Sequence, residues 1–413
     1  MDHKTEIWTK GILCLIALAI VLWRHRPSCR LTERHAGQLL AFMAAVAVAA
    51  YFNFGLFHGA GYVHHWEQFH YFLGSKYFPE LGYDGLYQAS IAAQLESNPR
   101  LRIQNTVRDL RTNTVVPTWT TARHRAEVVR RFSPERWRDF VRDNREFVES
   151  TDLAYLQGIR TDHGYNPTPT WTFVARLFDR FVPASRTPLT LLGLLDPLLL
   201  LVMFFTIFRT YGSRVGCLAL IIWSLGYPWR FNWVGGALLR QDWLVATLIA
   251  IGMLKRERYA LAGMLLAYAA MVRIFPVIFA FGIGVLALRT IVRRENLYWT
   301  RRLGAGFALT VALCFAAGSV TGRGVGAWAE FGHNLEKHRD TWLTNNVGLK
   351  NLLLYGPDTM TRKLVNWSLP EPWTFWQAAM NRLQAERAPW ILIAAVFFLA
   401  VIGAATWRAP PDE

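Results

Sequence analysis

Pro188-Leu-Thr-Leu-Leu-Gly-Leu-Leu-Asp-Pro-Leu-Leu-Leu-Leu-Val-Met-Phe-Phe-Thr-Ile-Phe208 is an apolar run with one charged residue, Asp196. A helix of roughly 20 such residues matches the ~30 Å hydrocarbon core of a bilayer. An amphipathic surface helix would carry a polar face at a 3.6-residue period, and this run has no such face. Similar blocks lie near residues 7–23, 36–57, 215–227, 236–254, 303–320 and 388–407. Another, 259–288, is too long for one span and is divided in two by Arg273-Ile-Phe-Pro276. The expected fold is an all-α polytopic membrane protein with about nine transmembrane helices.

Composition agrees. The 413 residues are 53% hydrophobic and 18% charged, with 18 Trp, 14 Tyr and 26 Phe. Soluble domains carry roughly 25% charged residues. A soluble globular enzyme, a disordered chain and a disulfide-stapled secreted module are excluded. The formal net charge of +16 would suggest nucleic acid in a soluble protein. Here the basic residues sit mainly in short loops beside apolar blocks, the positive-inside pattern, and no nucleic-acid partner is expected. Cys14, Cys29, Cys217 and Cys314 show no metal-type pairing.

Lys and Arg in the short loops set the orientation. Arg24, Arg26, Arg30 and Arg34 follow the first block; Arg209 and Arg214 follow the third. Lys255, Arg256 and Arg258 follow the fifth, and Arg289, Arg293, Arg294, Arg301 and Arg302 separate the seventh from the eighth. With these loops cytoplasmic, the spans alternate at every step. The N-terminus is then outside, the C-terminus inside, and two long segments, 58–187 and 321–387, are extracytoplasmic. Residues 1–35 read as an additional N-terminal transmembrane helix with a basic cytoplasmic loop. Between a signal peptide and a stop-transfer span, the latter is expected, because arginines and no small-residue cleavage site follow it. Residues 36–408 form the membrane domain, and 409–413 a disordered tail. Within the first long segment, Ser133-Pro134 is a helix start. Trp137, Phe140, Val141, Phe147 and Val148 share one face of that helix, which is expected to pack on the membrane domain or lie in the interface.

The densest cluster of reactive side chains is His64-His65-Trp66-Glu67-Gln68-Phe69-His70-Tyr71-Phe72, just after the second block. In a helix Glu67 and His70 share a face. A carboxylate near the low-dielectric boundary gains proton affinity and suits a general base acting on a hydroxyl. His64, Glu67 and His70 are also candidate metal ligands, although Trp-Glu-Gln between them is no metalloprotease spacing. The competing reading is an interfacial aromatic belt. In the following turn, Lys76 is a candidate phosphate ligand, Asp84 a second acid, and Tyr77 to Tyr87, with Tyr83 among them, an aromatic surface. Asp162 and His163, with Asn166, form a second acid–base pair or a structural Asx-type turn. Charges at membrane depth are costly unless paired. Arg230, Arg240 and Arg273, with Lys76, are candidates to ring a cavity for a lipid phosphate, with Asp196 and Asp242 beside them. His333, Glu336, Lys337 and His338 form a charged helix over the site, and Asn345-Asn346 follows.

With these residues in view, the chain resembles the GT-C class of membrane glycosyltransferases, most nearly bacterial mannosyltransferase-like membrane proteins. The matching stretches are His65-Trp66-Glu67-Gln68-Phe69-His70-Tyr71-Phe72-Leu73-Gly74, Gly164-Tyr165-Asn166-Pro167, Leu239-Arg240-Gln241-Asp242-Trp243, and Ala262-Gly263 through Arg273-Ile274-Phe275-Pro276. With the layout they cover about residues 36–390. The resemblance implies a GT-C-like fold in the cytoplasmic (inner) membrane. It implies transfer of a sugar from a polyprenyl-phosphate carrier to a hydroxyl of a glycan, lipid or protein on the extracytoplasmic side. In that class an Asp or Glu of the first outer loop is the base or metal-side acid. That position is Glu67 here, with Asp84 or Asp162 assisting and Mg or Mn a candidate cofactor. His65, Gln68, His70, Lys76, Tyr83, His163, Asn166, Arg240, Asp242, Arg273 and His338 are the expected substrate contacts. Two other classes fit the same composition. One is a transporter or flippase with Asp196, Arg240, Asp242 and Arg273 as a substrate path. The other is a non-catalytic membrane scaffold.

Overall fold

The computed structural model describes residues 3–24, 32–59, 61–98, 103–343 and 346–409. Arg26, Cys29 and Arg30 of the first basic loop, Asn345, and residues 410–413 of the expected tail lie outside the described residues. The chain is mostly helical, 74%. Among the described residues five helices are long and apolar enough to cross a membrane: Lys4–Arg24, Arg186–Leu225, Phe275–Val292, Tyr298–Ser319 and Thr374–Arg408. This is fewer than the nine expected. Asp242–Lys255 and Tyr259–Val272 have 14 residues each, about 21 Å at ~1.5 Å per residue, short of a ~30 Å hydrocarbon layer.

Contacts divide the chain into two compact units. The first comprises residues 1–76, 173–274 and 302–314. Its longest helical run, Leu195–Leu225, is interrupted at Gly212, where φ is +82°. A straight helix would separate Phe204 and Trp223 by about 28 Å at ~1.5 Å per residue. Their ring centres are 5.6 Å apart. The run is therefore a helical hairpin, and the basic loop expected at 209–214 shrinks to the reversal itself. Glu33–Tyr51 packs on this hairpin through Leu40, Met43, Ala44 and Ala47, against Cys217, Ile221 and Leu225. Ala44, Ala47 and Ala50 are small enough for close helix approach. Gly263 and Gly306 do the same further on. A Cβ on Gly263 would meet Leu303 O at 2.1 Å, and one on Gly306 would meet Ala260 O at 2.2 Å.

The N-terminal helix is integral to this unit. Its Glu6 is 1% exposed. The carboxylate takes Lys10 Nζ at 2.8 Å, Arg230 Nη1 at 3.4 Å and Asn232 Nδ2 at 2.7 Å. A buried charge is tolerable only when paired in this way.

The expected span 236–254 starts late. Residues 235–241 form an irregular buried loop, and the helix begins at Asp242. Gly236 has φ +72°, and a Cβ there would lie 1.9 Å from Tyr62 O. Leu239, at φ +47°, is a non-glycine residue in the left-handed region.

The second unit comprises residues 77–172, 275–301 and 315–413. Ser133 Oγ accepts the Arg136 N–H and Pro134 opens the helix Pro134–Glu149, as expected. Trp137, Phe140, Phe147 and Val148 are buried. The helix packs on Leu86–Ser97 within its own unit. Its Asp143 and Asn144 are also buried, accepting from Tyr77 Oη at 2.8 Å and Ser90 Oγ at 2.5 Å. Arg160 is wholly buried and donates to Gln94, Gln104 and Ser90. Burial pushes its pKa down to about 9, so it stays charged at neutral pH. The unit also holds an element absent from an all-α reading. Thr106–Asp109 pairs antiparallel with Thr114–Pro117, Val107 opposite Val116, around a turn with Asn113 at φ +56°.

Gly236→Ala combines a forbidden φ with a backbone clash, and is expected to cost at least ~2 kcal/mol and to lower the thermal midpoint in detergent. Gly304→Ala, in a helix with nothing within 4 Å of the added Cβ, should leave that midpoint unchanged or slightly raised. Equal midpoints for the two variants would remove the loop's claim to a strained, close-packed geometry.

Candidate functional site

The segment after Glu33–Tyr51 is organised by histidines. His58 Nε2 donates to Gly235 O at 2.9 Å, and His64 Nε2 donates to Asn232 O at 2.9 Å. His64 Nδ1 accepts the Glu67 N–H at 3.3 Å and caps the short helix His65–Gln68. Burial holds His64 down at about 4 and His58 at about 3, so both are neutral at pH 7. The helix continues into a π-helical turn, Phe69–Leu73, an unusual geometry often found at functional sites.

The short helix and this turn present Glu67 and Tyr71, respectively, to the loop after Gly236. Arg240 Nε lies 2.6 Å from Glu67 Oε2, with both side chains about one-sixth exposed (17% and 16%). The Arg240 guanidinium carbon is 3.9 Å from the Tyr71 ring centre, and that of Arg273 is 5.7 Å from the same centre. Cation–π contacts of this kind are worth about 0.5–2 kcal/mol each. Arg240 is aimed by its own backbone: Asp196 Oδ2 accepts the Arg240 N–H at 2.7 Å, and Oδ1 accepts that of Gln241 at 3.2 Å. Asp242 accepts from Tyr268 Oη at 2.9 Å and feels the charge of Arg273. Arg240 Nη1 is buried and makes no hydrogen bond among the described residues. One carboxylate and two guanidiniums thus meet around one tyrosine ring, with a donor unspent. Such an arrangement can hold an anion and, once Arg240 turns to it, release a carboxylate to act as a base.

Other expected contacts serve the frame. Gln68 Nε2 donates to Leu189 O and Gly236 O, both at 3.3 Å. His70 is buried and donates through Nδ1 to Trp66 O at 2.8 Å. Lys76 is buried, donates to Val182 O and lies over the Phe72 ring. Arg230 pairs with Glu6 and stacks on Trp233 at 3.9 Å. The expected ring of four cations therefore contracts to Arg240 and Arg273. His65 is half-buried on the helix that carries Glu67. Tyr71, Tyr268 and the amide-binding role of Asp196 were missed by sequence reasoning. The signal for Tyr71 was its position four residues after Glu67.

The remaining expected residues belong to the second unit. Asp84 is paired with Lys337 at 3.0 Å. Tyr83 is buried and donates to Pro167 O at 2.9 Å. Tyr77 and Tyr87 are buried too, so this turn is core and not an aromatic surface. Asp162 offers its main-chain carbonyl to Arg108 Nε at 3.1 Å. His163 Nδ1 is 2.8 Å from Asn113 Oδ1, and its ring meets that of His338 edge-on at 5.6 Å. Asn166 links His163 O to Asn334 Nδ2. A cleft of about 670 Å³ borders this cluster, lined by Asp84, Arg323, Glu330, His333 and Lys337 among others. These contacts dock the helix Gly326–Lys337 on the 162–166 turn. The unit that holds Glu67 contains neither Asp84 nor Asp162, so neither acid is assigned as its assistant.

Among the described residues no three of His, Cys, Asp and Glu come together as a metal-ligand set. Glu67 has the Arg240 guanidinium against its carboxylate. In comparisons with known proteins, no family model, no curated protein and no solved structure matches this chain.

Burial also holds His338 down at about 4, with Lys337 and Arg108 adding repulsion. Between its ordinary value of ~6.5 and that value, the unfolded chain binds a proton that the folded chain refuses. Stability is therefore expected to fall as pH drops from 7 to 4.5. His338→Gln should flatten this slope without abolishing it, because His58 and His64 contribute in the same sense. Thermal midpoints of both proteins across that range check this; parallel slopes would refute it.

Proposed function

We propose that this chain is a membrane glycosyltransferase that moves a sugar from a polyprenyl-phosphate carrier to a hydroxyl of a glycan, lipid or protein. The observation that carries the reading is the convergence of Glu67, Arg240 and Arg273 on Tyr71. The resemblance of the same stretches to GT-C enzymes supports it. The reading includes a GT-C-like arrangement of about nine spans in a bacterial inner membrane. The basic loops are cytoplasmic, and residues 58–187 and 321–387 are on the other side. Glu67 then stands at the extracytoplasmic end of the second span.

The donor phosphate enters as an anion and competes with Glu67 for Arg240, whose Nη1 is unspent. Arg273 adds a second positive charge over the same ring. Arg's planar fork matches phosphate oxygens. Freed of Arg240, Glu67 accepts the proton of the acceptor hydroxyl. The acceptor oxygen bonds to the anomeric carbon as the bond from that carbon to the phosphate oxygen breaks. The electron pair leaves with the carrier phosphate, and the arginines hold the resulting charge. General-base and charge-stabilising contributions of this kind each supply about 10²–10³-fold in rate.

The test is transfer from a radiolabelled polyprenyl-phosphate mannose by the purified chain in liposomes. Glu67→Gln is expected to lower kcat by about 100-fold or more, with little change in KM for the donor. Arg240→Ala should raise that KM and also lower kcat. Full activity in both variants would sink the assignment.

A further inference from the structure

The helix Thr374–Arg408 has 35 residues, about 52 Å at ~1.5 Å per residue. That exceeds a ~30 Å hydrocarbon core. Its most apolar stretch has no buried residue, with Trp390, Phe397 and Phe398 all exposed. Lipid is the medium that such a surface requires. The C-terminal end is anchored within the unit. Arg289 Nη1 donates to Trp407 O and Ala409 O at 3.2 and 2.7 Å, closing the last carbonyls of the helix. The other end, Thr374 to Arg387, stands clear of the apolar stretch that begins at Ala388. It is held by a small core of Trp342, Leu354, Trp376 and Met380.

On this projecting end Phe375, Ala378, Ala379 and Arg382 share one face. They form a wall of a cleft of about 900 Å³, and the segment with Lys363 and Trp367 forms the opposite side. Trp367 and Phe375 are exposed. Lys363 makes no ion pair among the described residues. Arg382 meets Glu386 only at 3.8 Å, with both side chains exposed. Glu371, the acid nearest in sequence to the other wall, is taken by Arg108. The cleft therefore offers two cations and two aromatic faces with one loosely engaged acid. Arg382 precedes Ala388 by six residues, about 9 Å along the axis. Headgroups extend roughly 5–8 Å beyond the hydrocarbon on each side, and an Arg side chain reaches further.

We propose that this cleft is a binding site for the phosphate headgroup of an anionic bilayer lipid. Lys363 and Arg382 contact the phosphate; Trp367 and Phe375 cover the glycerol and the start of the acyl chain. The proposal requires that the terminal helix cross the membrane and does not depend on the transfer chemistry. Free phosphate shares the charge but lacks the apolar part that the aromatic wall recognises.

Native mass spectrometry of the full chain in detergent tests it, with phosphatidylglycerol, phosphatidylcholine or inorganic phosphate added in parallel. Phosphatidylglycerol adducts are expected to exceed phosphatidylcholine adducts, with none for phosphate. At roughly 1 kcal/mol per basic residue near a lipid surface, Lys363→Ala with Arg382→Ala should reduce phosphatidylglycerol retention by about tenfold or more. Each single substitution should have a smaller effect, and Arg362→Ala, outside the cleft, none. Equal retention of the two lipids by the unaltered chain overturns the proposal. So does undiminished retention in the double variant, or displacement of the lipid by phosphate alone.

Discussion

Inside an apolar helical unit every main-chain polar group left without a partner costs several kcal/mol, and residues 235–241 place a run of them there. The loop exists because its groups are met one by one. Asp196 accepts the N–H groups of Arg240 and Gln241. The Gly236 carbonyl takes the His64 N–H and the Gln68 amide. The Gly235 carbonyl takes His58. Gln241 is held on the side by Tyr51 Oη and by Trp223 Nε1, both at 2.8 Å. Asp196, a costly charge when seen alone, is what allows the loop to replace a turn of helix.

That satisfied loop sets the direction of Arg240, and so the whole candidate site. A helix through 236–241 would carry Arg240 on a spiral with no reason to meet Glu67. With the amide of Arg240 pinned to Asp196, the guanidinium lies on Tyr71 and against Glu67. The same contacts extend to the N-terminal helix. Glu6 accepts from the Asn232 side chain, the Asn232 carbonyl accepts from His64, and His64 accepts the Glu67 N–H. A helix read as an addition to the membrane domain is tied through three hydrogen bonds to the candidate base.

The second unit solves a different problem with the same economy of charge. Its buried Arg160 pairs with no carboxylate among the described residues, and its two terminal nitrogens donate to two glutamines and a serine. In its turn at 77–87, Pro79, Gly82 and Gly85 break any long helix. Its aromatics were read as exposed because sequence carries no sign of which side faces the helix Pro134–Glu149. The β-hairpin at 106–117 was missed for a related reason: strands of four residues give too few alternations to distinguish from loop.

Local rules read directly from the chain were those of period, length and breaking. The apolar blocks, the Ser133-Pro134 helix start and the break at Arg273-Ile-Phe-Pro276 depend on neighbours within a few residues; the helix start and the break appear in the structure, and among the described residues five apolar helices reach spanning length. Glu67, Arg240 and Arg273 were legible as candidates because charges beside apolar blocks need partners. Which partners they take was decided by tertiary contacts: Arg240 meets Glu67 across a separation of 173 positions, and Arg273 meets the Tyr71 ring across 202. So was the diversion of Gln68, Lys76 and Arg230 into the frame. A hydrogen bond or ion pair is formed over about 3 Å, and only the folded chain decides which distant groups come that close.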